Sequence, residues 1–265
     1  MVVAANRDEH YDRPSTPPAL LKANPAILAG RDLRAGGTWL GVNEHGVLAG
    51  ILNRRWSPTG KPVGRNPERE PPAKSGDRVE GTDGEQEPLP GTRSRGLLCL
   101  DILALKTAAE ARGFIRTHRD DYQPFTLLCA DANDAWSAYN LGGQIKTNSL
   151  GPGLHVFSNA SEFDASSDKR DRAYACFADF AEDLKTDRAA AANEFLRLRE
   201  VLGDHTLGDY FNDPRDAICM HGEFSGTVSS SIVLYSQRER RLRTFYCPGA
   251  PCRNVFGQAI ELDVR

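Results

Sequence analysis

Val2-Val3-Ala4-Ala5-Asn6-Arg7-Asp8-Glu9 opens the chain. The first four residues are small or β-branched and apolar, and they read as a short buried strand. The next four bring an amide, a guanidinium and two carboxylates to its mouth. Polar groups there can face a pocket rather than the core, because opposite charges packed this closely need partners or solvent. As solvated surface ion pairs they contribute about 0–1 kcal/mol each. The rest of the chain decides between those two settings.

Outward from this stretch, the surroundings are those of an ordinary globular domain. The chain has 265 residues, 40% of them hydrophobic and 26% charged, enough to bury a sizeable core. A formal net charge of −3 gives no electrostatic footprint for nucleic acid or an anionic membrane. No apolar run reaches the length of an integral membrane segment. Charges begin at Arg7, before the apolar region of a secretory signal could develop. Cys99, Cys129 and Cys219 sit in apolar runs and read as small buried hydrophobes. The Cys247/Cys252 spacing fits neither a redox CxxC nor a usual zinc knuckle. The expected compartment is therefore reducing and cytoplasmic. The six histidines, His10, His45, His118, His155, His205 and His221, show no i, i+4 pair or metal-ligand spacing, so no metal is expected. His221 beside Gly222 reads as a packed or turn histidine.

Along the chain, Asp12 to Pro25 reads as a Pro-rich loop and Ala26–Ala29 as a short strand closed by Gly30. Gly36-Gly37 marks a turn or a close backbone approach. Strands at 38–42 and 47–52 are joined by Asn43-Glu44-His45-Gly46, with hairpin chemistry. Residues 57–92 hold seven of the sixteen prolines and six glycines. With so little apolar surface, this stretch reads as a flexible insertion that proteases should cut first. Thr107-Ala108-Ala109-Glu110 has the capping-box pattern and starts a helix to about His118. Strands follow at 124–130 and 135–140, and a further hairpin pairs 144–150 with 154–158. Asp168 and Asp187 are candidate caps of two helices, the first with Ala173 and Phe177 on one face. Late strands are expected at 217–220, 227–235 and 241–246. Many hairpin-linked strands with helices in two clusters make an α+β pattern with antiparallel sheets.

The order Tyr11-Asp12-Arg13-Pro14, Leu28-Ala29-Gly30-Arg31-Asp32, Gly36-Gly37-Thr38-Trp39-Leu40-Gly41-Val42, Ser94-Arg95-Gly96-Leu97-Leu98, Gly151-Pro152-Gly153-Leu154-His155-Val156, Ser158-Asn159-Ala160-Ser161 and Gly226-Thr227-Val228-Ser229-Ser230-Ser231 is more specific. With Asn6-Arg7-Asp8-Glu9 it resembles the NRDE family, the transport and Golgi organisation protein 2 relatives, over nearly the whole chain. The resemblance implies a single domain over 1–265 with the N-terminal-nucleophile hydrolase fold: two stacked antiparallel sheets flanked by helical layers. It also implies a Cys directly after the initiator Met, on a strand preceding the tetrapeptide, whose free α-amine serves as the base. This chain opens Met1-Val2, without a Cys, Ser or Thr there. The expectation is that the first strand is missing and that about ten to twenty residues lie upstream, enough for a strand and a turn.

The same resemblance assigns candidate catalytic residues. Asp8 would orient the amine and thiol. Asn53 and Asn159 would donate to the oxyanion, a donor whose loss costs about 100- to 1000-fold in rate. Arg172, with Arg170 as its rival, is the recurring basic residue on the following helix. Asn6, Arg7, Arg31 and Trp39 are the candidate ligand contacts, Trp39 as core or pocket wall. The implied chemistry is hydrolysis of a small-molecule amide with no cofactor required. The alternative is a non-catalytic protein holding haem or an acyl-CoA lipid. The oligomeric state is not readable from the sequence.

Overall fold

The computed structural model describes residues 1–53, 91–140, 145–158, 168–186, 191–207 and 217–265. Of the expected insertion at 57–92 only residues 91 and 92 fall within this set; Asp187 and Asn159 also lie outside the described residues.

Two antiparallel sheets form the centre. The smaller has the order β1 (Val2–His10), β9 (Ser225–Ser236), β10 (Arg241–Cys247), β11 (Ile260–Asp263). The larger is a meander of seven strands in chain order: β2 (Ser15–Ala23), β3 (Ala26–Asp32), β4 (Leu40–Asn43), β5 (Leu48–Asn53), β6 (Phe125–Ala130), β7 (Ala135–Asn140) and β8 (Ile145–Ser149). Alternation along each strand sends side chains to two different cores. Leu28, Leu40, Val42 and Leu48 of the large sheet meet Val233 and Leu242 of the small one, with Val3 and Ala5 of β1 packed against them. The opposite face of the large sheet, through Ile27, Ala29, Val47 and Ala49, buries α1 (Arg95–Leu103) and α2 (Ala108–His118). Leu198 and Leu202 of α4 (Ala191–Leu202) cover the outer face of the small sheet at Ala4 and Ile232, with Phe177 of α3 (Asp168–Thr186) beside them. The layers run helix, sheet, sheet, helix, as the α+β sandwich reading requires.

Several elements differ from their sequence reading. The opening strand is nine residues long rather than four, so the whole tetrapeptide lies inside it. It is the edge of the small sheet, and Val2 is exposed. The loop expected at 12–25 is largely β2. Pro17 and Pro18 fall where its register with β3 slips between Thr16 and Ala19. β2 is an edge strand, and a bulge on an edge is where missing N–H groups cost least. Residues 154–158 and 217–220 are not strands, and β8 pairs with β7 instead. β11 is an additional strand.

Three local devices set the geometry near the tetrapeptide. Gly36 turns the chain at φ 75°. Gly37 then runs so close to α1 that a Cβ there would sit 2.1 Å from the Gly96 carbonyl carbon, and Thr38 donates its N–H to the Gly96 carbonyl at 3.0 Å. Both readings of Gly36-Gly37 hold, one per residue. In the 43–46 hairpin, Asn43 accepts from the His45 and Val47 amides and donates to the Leu103 and Leu105 carbonyls. It pins the hairpin to the end of α1.

Candidate functional site

β1 divides the tetrapeptide between the two faces of its sheet. Asn6 and Asp8 point toward the helical layer, whereas Arg7 shares the sheet-to-sheet face with Val3 and Ala5. A register shift between Arg7 and Asp8 places Asp8 opposite Thr227 while Arg7 remains opposite Ser229. This bulge brings the Thr227 hydroxyl, rather than a valine, beside the carboxylate.

On the helical face, Asn6 is fully engaged by the fold. Its Nδ2 donates to the Leu202 and Ile218 carbonyls, each at 2.9 Å, and its Oδ1 accepts from Ser230 Oγ at 2.5 Å. It ties β1 to the end of α4 and to the chain before β9. Asp8 accepts at both oxygens: Thr227 Oγ1 donates to Oδ1 at 2.6 Å, and Lys169 Nζ donates to Oδ2 at 3.0 Å. Thr227 Oγ1 in turn accepts the Met220 N–H at 2.8 Å. Lys169, at the start of α3, is thus a basic residue of that helix that reaches Asp8, and nothing in its sequence position singled it out from Arg170 and Arg172. Arg172 turns away and donates to the Thr206 carbonyl.

On the sheet-to-sheet face, the Arg7 guanidinium lies 4.4 Å over the Trp39 ring and is 7% exposed. Trp39 can lie there because residue 30 is glycine; a Cβ on Gly30 would come within 2.6 Å of the indole. Arg7 Nη1 donates to Ser15 Oγ at 3.3 Å. Its Nη2 stands 4.0 Å from Asp32 Oδ2, beyond hydrogen-bond reach. Nη2 has no hydrogen-bond partner among the described residues, and neither does the buried hydroxyl of its register partner Ser229. Burial lowers the Arg7 pKa, with Glu9 and Asp32 opposing. The group remains charged, since arginine does not deprotonate in proteins.

Arg13 and Arg95 complete this cluster. Arg13 bonds Asp32 at 2.8 Å and lies 3.6 Å from Glu9. Burial lowers the Arg95 pKa and Arg13 adds to it, while Glu9 opposes. Burial pushes the Asp32 pKa up, but the Ala35 and Arg34 amides and the Arg13 guanidinium outweigh it, and the net shift is downward. Among the described residues, Arg7, Arg13 and Arg95 thus share the field of Glu9 and Asp32.

The remaining candidates are Arg31, Asn53 and Asn159. Arg31 is exposed, with its backbone N–H on Thr16 Oγ1 at 3.2 Å. Asn53 is the exposed last residue of β5, on the other sheet from Asp8. Asn159 is outside the described residues. Thr227, Lys169 and Ser229 are the contributors that sequence reasoning did not single out. For Thr227 and Ser229 the signal was the hydroxyl-rich run 227–231, which alternation against a charged strand could have flagged.

Comparison with known proteins places these features in a wider setting. The family model described as Transport and Golgi organisation 2 matches residues 1–245. The Transport and Golgi organization 2 homolog of Mus musculus is 45% identical over 56 residues, 20% of this chain and 20% of that protein. The Homo sapiens homolog gives the same 45% over 56 residues, again 20% of each. The matched region thus spans about one fifth of the length of these curated relatives. Among solved structures, a variant of conjugated bile acid hydrolase from Clostridium perfringens superposes with a TM-score of 0.51 at 10% identity, covering 100% of this chain and 94% of that one. That likeness is one of fold.

Proposed function

The chain belongs to the Transport and Golgi organisation 2 family, and from that premise we propose that it binds a small molecule combining a large apolar body with an anionic group, of the haem or acyl-CoA class. The observation that carries this reading is the pair Arg7 and Ser229. Both are buried, they are opposite one another across β1 and β9, and each has a polar atom without a hydrogen-bond partner among the described residues. Leaving such groups unsatisfied costs about 1–3 kcal/mol, more when charged. A carboxylate or phosphate oxygen would satisfy both. Trp39, under the guanidinium, offers the flat apolar wall beside them. Arg7 and Trp39 are then the ligand contacts, with Asn6 holding the strand in place and Arg31 at the exposed rim.

The test is titration with hemin and, separately, with a long-chain acyl-CoA, followed by haem absorbance and by tryptophan fluorescence. Arg7→Met is expected to weaken binding by about 10- to 100-fold, the usual worth of a charged hydrogen bond, with circular dichroism unchanged. Equal binding by the variant would remove this assignment.

A second reading, hydrolysis of an acyl amide, is favoured by the carboxylate of Asp8 held between Lys169 and Thr227. In that reading Asp8 orients an N-terminal nucleophile whose α-amine is the base, Asn53 and Asn159 serve the oxyanion, Arg172 is the accompanying cationic residue, and no cofactor is needed. The protein isolated from its own cells is then expected to turn over simple acyl amides in a thiol-reagent-sensitive way, and Asp8→Asn to abolish it. Activity indifferent to thiol reagents would discard the mechanism. Among the described residues no helix is long and apolar enough to cross a membrane. A cytoplasmic, reducing site of action belongs to the same proposal.

A further inference from the structure

Behind the Asp8–Thr227 pair, three loops bring together two cysteines and two histidines. Cys219 and His221 lie just before β9, on a segment fixed by the Cys219 N–H on the Asp204 carbonyl at 2.7 Å and by the Ile218 carbonyl on Asn6. Cys252 comes from the loop after β10, and His205 from the turn after α4. Cys219 Sγ is 3.6 Å from Cys252 Sγ and 3.7 Å from His221 Nε2, and His221 Nε2 is 3.1 Å from Cys252 Sγ. The ligand atoms of His205, His221 and Cys252 all lie within 4.8 Å of one another.

The three separations among Cys219, His221 and Cys252 are near those of one face of a coordination tetrahedron, and His205, within 4.8 Å of His221 and Cys252, reaches the fourth corner by a rotation of its exposed side chain. Zinc bonds of about 2.3 Å to sulfur and about 2.0–2.1 Å to nitrogen at tetrahedral angles require S···S edges of about 3.8 Å and S···N edges of about 3.6 Å. In the metal-free chain thiol hydrogen bonds hold these contacts, and the sulfurs are too far apart for a disulfide. We propose that Cys219, His221, Cys252 and His205 form a structural zinc site that staples the three loops together.

The surroundings suit the ion. His205 Nδ1 lies 3.3 Å from the Gly203 carbonyl; as a donor there it would leave Nε2 as the ligand atom, the usual outer partner of a zinc-bound imidazole. A zinc-bound cysteine coordinates as the thiolate, so binding releases protons and weakens as the pH falls. With four protein ligands the site is closed, which assigns it to structure rather than to water activation. Met220, between two of the ligands, donates to Thr227, the residue that holds Asp8. The metal would thus fix the back of the polar strand.

The test uses the full chain, reduced and stripped of metal, titrated with cobalt(II) and then with zinc. Expected are one ion per chain, the visible absorption of tetrahedral thiolate-bound cobalt, its bleaching by zinc, and proton release on binding. Zinc should raise the midpoint of thermal unfolding. Cys219 is buried and its substitution also removes packing, so the deciding variants are Cys252→Ser and His205→Ala at the surface. Cys252→Ser is expected to cut affinity beyond the about 10- to 100-fold that outer-shell losses cost, and His205→Ala to convert the cobalt spectrum. Absent tetrahedral absorption, a spectrum unchanged in Cys252→Ser, or a Cys219–Cys252 disulfide in zinc-exposed protein would each overturn the proposal.

Discussion

Asn43 and Asp32 illustrate how much single polar side chains hold in this fold. Asn43 is fully buried and serves four backbone groups. Asn43→Ala would strand two carbonyls at the end of α1 and two hairpin amides. We expect a loss of about 2–5 kcal/mol in urea unfolding, since each buried unsatisfied group costs about 1–3 kcal/mol. Asp32 makes a pH prediction. Its pKa is lower in the folded chain, so the stability it contributes is present above its unfolded value of about 3.9. That contribution is lost as the pH falls through the still lower folded value. Urea midpoints of the wild type and Asp32→Asn should therefore differ most above about pH 4 and converge below it; a gap that widens in acid would contradict this. Gly30→Ala should displace Trp39 from beneath Arg7 and weaken ligand binding without touching a charged group.

At the level of elements, the docking of α1 depends on a glycine pair. Gly37→Ala would drive a methyl group into the Gly96 backbone, which cannot yield as a side chain would. Destabilisation of about 1–3 kcal/mol or more is expected from overpacking, read as a lower thermal midpoint. Most elements were legible because their signals are local: the 43–46 turn, the Thr107 cap, whose hydroxyl accepts the Glu110 N–H at 3.1 Å, and the strands at β6 and β7. The misses have a common cause. Two prolines hide β2, because an edge position that excuses missing donors is a property of the sheet, not of the segment. β11 is only four residues, and what aligns it is external: Arg241 and Arg243 of β10 meet Asp263 and Glu261 across the pair. Residues 217–220 look like a strand because they are apolar, yet they are buried without a ladder, held by Asp204 and Asn6.

For the molecule as a whole, stacked sheets came from family resemblance, whereas period-two alternation alone predicts that Arg7 and Asp8 face opposite ways. Their partners could not be read so simply, since Lys169, Thr227 and Ser229 are brought in by tertiary structure. The same holds for the Cys219–His221–Cys252–His205 cluster, whose members span three loops and match no linear motif. Both layers of helix pack on sheets that share one inner core, so the single-domain reading predicts one cooperative transition in scanning calorimetry; two separated transitions would divide the sheets into independent units. The pairing of β1 with β9 carries a temporal consequence. Val2 lies opposite Leu234 and Asn6 opposite Ser230, so β1 must wait for a strand made much later in synthesis. At about 5–20 residues per second of synthesis, the delay is roughly 10–45 s. Throughout that interval β1 has no β9 to close on. A ribosome stalled before residue 225 should therefore display Val2–Ala5 as a protease-sensitive, chaperone-accessible tail, and only release of the late strands should silence it.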